Sequence, residues 1–469
     1  VKNIISVLLL LSVFLCAGCA GNTQGGGDTS GSYTTAPVTD TPVTDIPEEK
    51  FEMREDQVYA ADLIAESDSL TIAFMGGSLT NGDITYHKLM PNWPICGNAW
   101  VNDIISYFVT DGKGGKQVKK VSAINAGQPG TNSDYAAARF IDQVASAEPD
   151  ILFLEYTAND SGWREDVASL YYEYIIRQCL TLDKIPVIMI VHAVIPTEEG
   201  LAAYDSYMRS IAAKDAIAEH YGIKTINAYD YLKNEYAAND MGLSFYDWMG
   251  VKGTGYYNEV FPGYYDVHPN SSGYMVTARA VREALESDYE GCMSRPKFRD
   301  VYNKDNKDIA ESDMVLVPHS DERIVYEGEW TEYNSENLFV SSDPHIAVGD
   351  HHMKYPYFED GITQVVNPVG ASFTFKTSAA SVAVAYMSST YNSDLTFYLV
   401  NEDGSNGKEL GKISTYFDSS GMGMGMSRIT HFLNVADDGE EHTVRVVVED
   451  TNETHNIFRF GYIAECIYK

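Results

Sequence analysis

Basic residues are scarce in this 469-residue chain: 33 Lys and Arg stand against 67 Asp and Glu, a formal charge of −34 at pH 7. A phosphate backbone is bound by a basic footprint, so nucleic acid is excluded as a partner. Electrostatic adhesion to anionic lipid is excluded for the same reason. Cysteine is scarce too, at positions 16, 19, 96, 179, 292 and 466. The first two fall in an N-terminal segment, and the other four form no Cys-x-x-Cys pair. Neither a zinc site nor a disulfide framework is indicated. His-Glu-x-x-His is absent, and Gly76-Gly77 is followed by no Gly-Lys-Ser/Thr, so a zinc hydrolase and a phosphate loop lack support. No cofactor or metal is expected. After the N-terminal segment no run reaches the length of a membrane span. Apolar material is nonetheless ample, with 44% hydrophobic and 12% aromatic residues. That excludes a disordered chain and leaves room for two or three domains.

The N-terminus has a positive start at Lys2 and an apolar run, Ile4 to Leu15, broken only by Ser6 and Ser12. Such a run is short for a bilayer span and is expected to be a signal peptide, residues 1–19. Its end, Cys16-Ala17-Gly18-Cys19, resembles a bacterial lipobox, with Cys19 the lipidated residue, although Cys16 stands where Leu is usual. Ordinary secretion with cleavage nearby is the alternative. The expected location is extracytoplasmic, at a bacterial cell surface, with the membrane engaged only through the lipid. Residues 20–54 are rich in Gly, Thr, Ser, Pro and Asp and repeat Pro-Val-Thr-Asp at 37–40 and 42–45. They are expected to form a solvated spacer.

From 55 to 295 short apolar runs alternate with amphipathic stretches. Strands are predicted at 70–75, 120–125, 151–156, 187–192 and 224–227. Helices are predicted at 99–109, 133–147, 167–182, 201–221 and 272–286. This alternation indicates an α/β fold with a parallel sheet covered on both faces. From 296 to 469 the pattern becomes alternating and turn-punctuated, with strands predicted at 371–376, 381–387, 395–400 and 443–448. An all-β sandwich is expected there.

The strand exits carry the chemistry-bearing residues. Phe74-Met75-Gly76-Gly77-Ser78-Leu79-Thr80 follows the first strand, where Ser78 either presents its hydroxyl to a cleft or caps a helix. Asn125-Ala126-Gly127-Gln128-Pro129-Gly130 follows the second, and Glu155-Tyr156-Thr157-Ala158-Asn159-Asp160 the third. Asp266-Val267-His268-Pro269-Asn270 precedes the last helix. The Gly-x-Ser-x-Gly elbow of α/β-hydrolases is not met, because Thr80 holds the final Gly place.

In this order the motifs resemble the SGNH hydrolases, the GDSL-type serine esterase superfamily, over roughly residues 65–290. The resemblance implies a flavodoxin-like three-layer α/β/α domain. It implies that Ser78 is the nucleophile and His268 the base. Ser78, Gly130 and Asn159 are implied as oxyanion-hole donors. The chemistry agrees, since a Ser hydroxyl needs an adjacent base and a tetrahedral oxyanion needs fixed donors. Two departures stand out. Gly77 replaces the Asp of the first block. The acid expected three residues before His268 is replaced by Tyr265, leaving Asp266 two residues before it. Asp266, a backbone carbonyl in a Ser–His dyad, or Glu259 are the options for orienting the imidazole.

An aromatic segment before His268 holds Trp248, Tyr256, Tyr257, Tyr264 and Tyr265. It is expected either to wall the substrate site or to pack its own loop. Trp93 and Trp100 could build another wall. His192, at the end of the fourth strand, either lines the site or is structural. His351-His352 reads as a polar turn rather than a metal site. Gly370-Ala371-Ser372-Phe373-Thr374-Phe375 resembles strands of jelly-roll modules appended to glycan-active enzymes, so the β module is a candidate carbohydrate binder. The expected substrate is an acylated glycan losing O-acetyl groups. A short-chain or lipolytic esterase and a non-catalytic glycan-binding lipoprotein are the alternatives.

Overall fold

The computed structural model describes residues 55–81, 99–109, 120–128, 131–161, 165–195, 202–239, 271–286, 293–333, 353–354, 362–366, 368–388, 393–414, 426–451 and 457–468. The predicted leader, the spacer and Cys19 lie outside them. Glu52–Lys469 forms one compact unit.

The first half runs β1 (Gln57–Val58), α1 (Ala60–Glu66), β2 (Ser69–Gly76), α2 (Ser78–Asn81), α3 (Ala99–Val109) and β3 (Lys120–Asn125). It continues α4 (Ser133–Gln143), β4 (Ile151–Glu155), α5 (Thr157–Asp160), α6 (Glu165–Leu180), β5 (Val187–His192) and α7 (Ala202–Tyr221). It closes with β6 (Lys224–Asn227), α8 (Ala228–Asn239), α9 (Ser271–Glu286) and β7 (Met293–Ser294). Strands β3, β2, β4, β5 and β6 lie side by side in that order, all parallel. Every residue of β4 and β5 is buried. Such continuous apolar strands form because helices cover both faces of the sheet. Ile72, Phe74, Phe153 and Met189 point to one apolar layer with Trp100 of α3 and Val281 of α9. Ala73, Met75, Leu152 and Ile190 point to the other, with Phe140 of α4 and Tyr172 of α6.

β2 sits between β3 and β4, so the chain reverses its direction of winding there. In doubly wound sheets ligands bind at that switch point, beyond the C-terminal strand ends. The exits of β2, β3 and β4 are the three predicted motifs.

The second half is the predicted all-β part, built as two antiparallel sheets. One places Trp330–Tyr333, Ile362–Val366, Ile457–Ile467, Ser381–Ser388 and Met426–Ile429 in order, with Asp313–Pro318 also on Ile457–Ile467. The other orders Asn406–Ser414, Ser393–Val400, His442–Thr451, Ser372–Thr377 and Ile324–Glu327. Phe373, Phe397, Val446, Val384 and Phe460 fill the space between them. The Phe373 and Phe460 rings stack at 4.4 Å.

The two halves share a core. Met314, Ala383, Ile429, Ala464 and Cys466 of the first antiparallel sheet belong to the same apolar cluster as Tyr135, Phe140, Tyr174 and Cys179 of α4 and α6. The Tyr174 hydroxyl accepts the Met314 N–H at 3.0 Å, and Gln178 Nε2 donates to the Ser312 carbonyl at 2.8 Å. Buried Glu173 accepts the Asn303 N–H at 2.8 Å and the Tyr221 hydroxyl at 2.5 Å. A short strand from the later region, Met353–Lys354, extends the parallel sheet beside Ala123 and Ile124 of β3. Among the described residues no helix is long and apolar enough to cross a membrane.

Candidate active site

Ser78 opens α2 immediately beyond β2, and it is almost fully buried. A helix of one turn cannot satisfy its own carbonyls, so neighbours do. Trp100 Nε1 donates to the Leu79 carbonyl at 2.8 Å, and Asn125 Nδ2 donates to that of Thr80 at 3.0 Å. Trp100 is therefore no site wall: it has no exposed surface and meets Phe74 edge-on at 5.4 Å. Its indole N–H found a carbonyl that the short helix could not pair, which drew the ring into the core.

The β3 exit is tied to the same turn. Asn81 Nδ2 donates to the Gly127 carbonyl at 2.8 Å, and the Gln128 N–H donates to the Gly76 carbonyl at 2.9 Å. A Cβ on Gly127 would fall 2.4 Å from the backbone nitrogen of Asn81, so only glycine allows this approach. Arg139 of α4, also sealed from solvent, donates to the Ala126 carbonyl and the Tyr156 hydroxyl, each at 2.7 Å.

The β4 exit brings Asn159. A Cβ on Gly77 would lie 2.0 Å from Asn159 Oδ1. The Asn159 amide thus rests against the residue preceding Ser78. A side chain at position 77 would occupy the amide's position. Asn132 Nδ2 holds the Asn159 carbonyl at 3.0 Å. The adjoining Asp160 accepts the Ser133 N–H at 3.0 Å and pairs with Lys214 of α7 at 3.0 Å, both charged side chains being buried.

His192 lies deeper. Its ring is fully buried, with Nε2 2.9 Å from Asp215 Oδ1 and Nδ1 2.7 Å from Thr157 Oγ1. A carboxylate only accepts, so Nε2 carries the proton and Nδ1 accepts the Thr157 hydroxyl. Burial pushes the imidazole below its usual range. Of the two sequence readings, this ring is structural, fixing Thr157 two residues before Asn159.

Beneath the turn lies Glu155, which sequence reasoning passed over. Its carbonyl accepts the Gly77 N–H at 3.3 Å, and its Oε2 accepts the Thr80 hydroxyl at 2.9 Å. The side chain is wholly buried, and burial pushes its carboxyl up to about 7, against the pull of the Thr80 hydroxyl and with the push of Asp160. A charge directly after Ile-Leu-Phe-Leu in a buried strand was the available signal. Arg139 amid Tyr-Ala-Ala-Ala was another.

Ser78, Asn159 and His192 are thus located, and the first two are brought together at the sheet edge. Gly130, Trp248, Glu259, Tyr264, Tyr265, Asp266 and His268 lie outside the described residues, as do Trp93 and His351-His352. Among the described residues no group of three or more His, Cys, Asp or Glu side chains could hold a metal ion.

Residues 74–276 match the model of the GDSL-like Lipase/Acylhydrolase family. The match falls within the parallel α/β half, and the antiparallel β domain follows it. The chain is similar to a crystal structure of a two-domain esterase active on acetylated mannans, at 18% identity and TM-score 0.57, covering 89% of this chain and 97% of that one. The same esterase with mannopentaose matches at 19% identity and TM-score 0.56, over 87% and 93%. An acetylxylan esterase from Geobacillus stearothermophilus matches at 15% identity and TM-score 0.33, over 47% of this chain and 95% of that one. No curated protein matches the chain.

Proposed function

We propose that this protein is an extracytoplasmic serine esterase that removes O-acetyl groups from glycans. The observation that carries the reading is the packing of Asn159 on the Gly77–Ser78 turn at the switch point of the sheet. Ser78 Oγ attacks the acetyl carbonyl while His268 takes its proton. The Ser78 and Gly130 N–H groups and the Asn159 amide stabilise the oxyanion. Its collapse breaks the ester bond, and His268 returns the proton to the leaving sugar hydroxyl. Water, activated by His268, then releases acetate and restores Ser78. Asp266 orients the imidazole. The aromatic segment, with Trp248, Tyr264 and Tyr265, receives the sugar rings.

The glycan preference is supported by the two-domain neighbour, which acts on acetylated mannans. Net charge of −34 favours neutral glycans over acidic ones. A leader ending at Cys19 and a spacer over 20–54 would hold the enzyme beside a membrane through lipid alone. Acetate release from acetylated mannan, acetylated xylan and bacterial exopolysaccharide, set against hydrolysis of long-chain esters, tests the substrate class. Faster turnover of acetylated glycan is expected; preference for long chains would replace the reading with a lipolytic one.

A further inference from the structure

We propose that Glu155 is a positioning residue for Ser78, and that the Ser78 turn stabilises an oxyanion best while Glu155 is neutral. The inference rests on the esterase reading above. Glu155 grips both sides of the nucleophile, through Gly77 before it and Thr80 after it. Its backbone lies so close that a Cβ on Gly76 would fall 2.6 Å from the Glu155 carbonyl. These contacts bracket Ser78 on both sides in sequence.

The same side chain is an uncomfortable anion. It is fully buried, and among the described residues Oε1 has no hydrogen-bond partner. A buried carboxylate with one bare oxygen is costly, and protonation relieves the cost. The Thr80 hydroxyl and the Gly77 N–H favour its charge, and burial outweighs them. Asp160 of α5 opposes its charge; Lys214 of α7 favours it, but that ammonium is already paired with Asp160. Tyr156, Tyr172 of α6 and Tyr207 of α7 also sense the Glu155 charge, and each phenol is held in its neutral form by burial. Burial thus leaves the carboxyl near neutrality, at about 7. A negative charge under the turn opposes the negative charge that develops on the carbonyl oxygen, and low local dielectric makes that opposition strong.

The test measures kcat against pH on a soluble acetyl ester for the full chain, Glu155→Gln and Thr80→Val, with Ser78→Ala as blank. Wild type should rise as the imidazole loses its proton, then fall several-fold between about pH 7 and 9. Glu155→Gln should hold its plateau there. Thr80→Val removes a donor that favours the anion, so its falling limb should move to higher pH. An unchanged falling limb in Glu155→Gln, or a uniform loss at every pH, overturns the proposal. If Glu155→Gln does not fold, an unmoved limb in Thr80→Val overturns it equally. Melting temperature gives a readout free of activity. A carboxyl raised in the folded state stabilises fully below its unfolded value and loses that contribution as pH rises through about 7. Wild type should therefore lose more stability between about pH 5 and 8 than Glu155→Gln, and matching profiles contradict the proposal. Absence of Ser78-dependent hydrolysis on every ester would instead sink the esterase reading, while the melting profiles still report on Glu155.

Discussion

Gly77 is where a single missing Cβ decides the geometry beside Ser78. Its φ is not in the left-handed region, so the requirement is one of space alone. Gly77→Ala should push the Asn159 amide away and cost about a hundredfold to a thousandfold in kcat, the usual loss for one oxyanion donor. Asn159→Ala should cost a similar amount, and the double variant little more than either, because both would remove the same proposed donor. Additive losses in steady-state kinetics would show that Gly77 acts elsewhere. Residue identity at this level was partly legible. Ser78 and Asn159 stand at strand exits in a recognisable order. Glu155, Lys214 and Arg139 were not legible as partners, because a buried charge reveals its role only through what the fold sets opposite it. His192 was legible as a choice between two roles, and the Thr157 and Asp215 contacts decide it.

Among the elements, α5 and α7 do the most to hold the β4 exit. Asp160 and Lys214 bridge them in a sealed ion pair, with the ammonium 4.7 Å above the Tyr172 ring. Removing one partner leaves an uncompensated buried charge, so Lys214→Met should destabilise by about 3–5 kcal/mol. Chemical denaturation checks this; a loss below about 1 kcal/mol would assign the pair to the solvated class. The parallel strands were legible because buried β-rich runs of this length have few alternatives. Lys120–Asn125, Val187–His192 and Lys224–Asn227 match their predicted bounds. The helix predicted over 133–147 ends at Gln143 and gives way to a separate 3₁₀ turn at Ala145–Ala147. Helix α8 was not predicted, since its mixed polar face gives no clear apolar stripe. The long strand Ile457–Ile467 was missed too, although it organises the first antiparallel sheet: Ile362–Val366 and Asp313–Pro318 pair along one of its sides and Ser381–Ser388 along the other.

For the molecule as a whole, the sequence suggested a hydrolase domain with an appendage, and the structure gives the two halves a common core. Tyr174 and Cys179 on one side, with Ala383, Ala464 and Cys466 on the other, form a surface that neither half can leave exposed. A chain cut to residues 55–295 should therefore be insoluble or self-associating, as size-exclusion chromatography would reveal. A soluble, active monomer would mean that the shared core is dispensable. Such sharing is invisible to a reading that divides a chain by changes in pattern, because the same apolar residues serve an internal core and a domain contact.

The proposed chemistry turns on Ser78. Acetate released from acetylated mannan by wild type and by Ser78→Ala, side by side, tests it most directly. Wild type should release acetate, and the variant should fall by at least about a thousandfold, as loss of a nucleophile requires. Equal release by the two proteins would contradict the central claim.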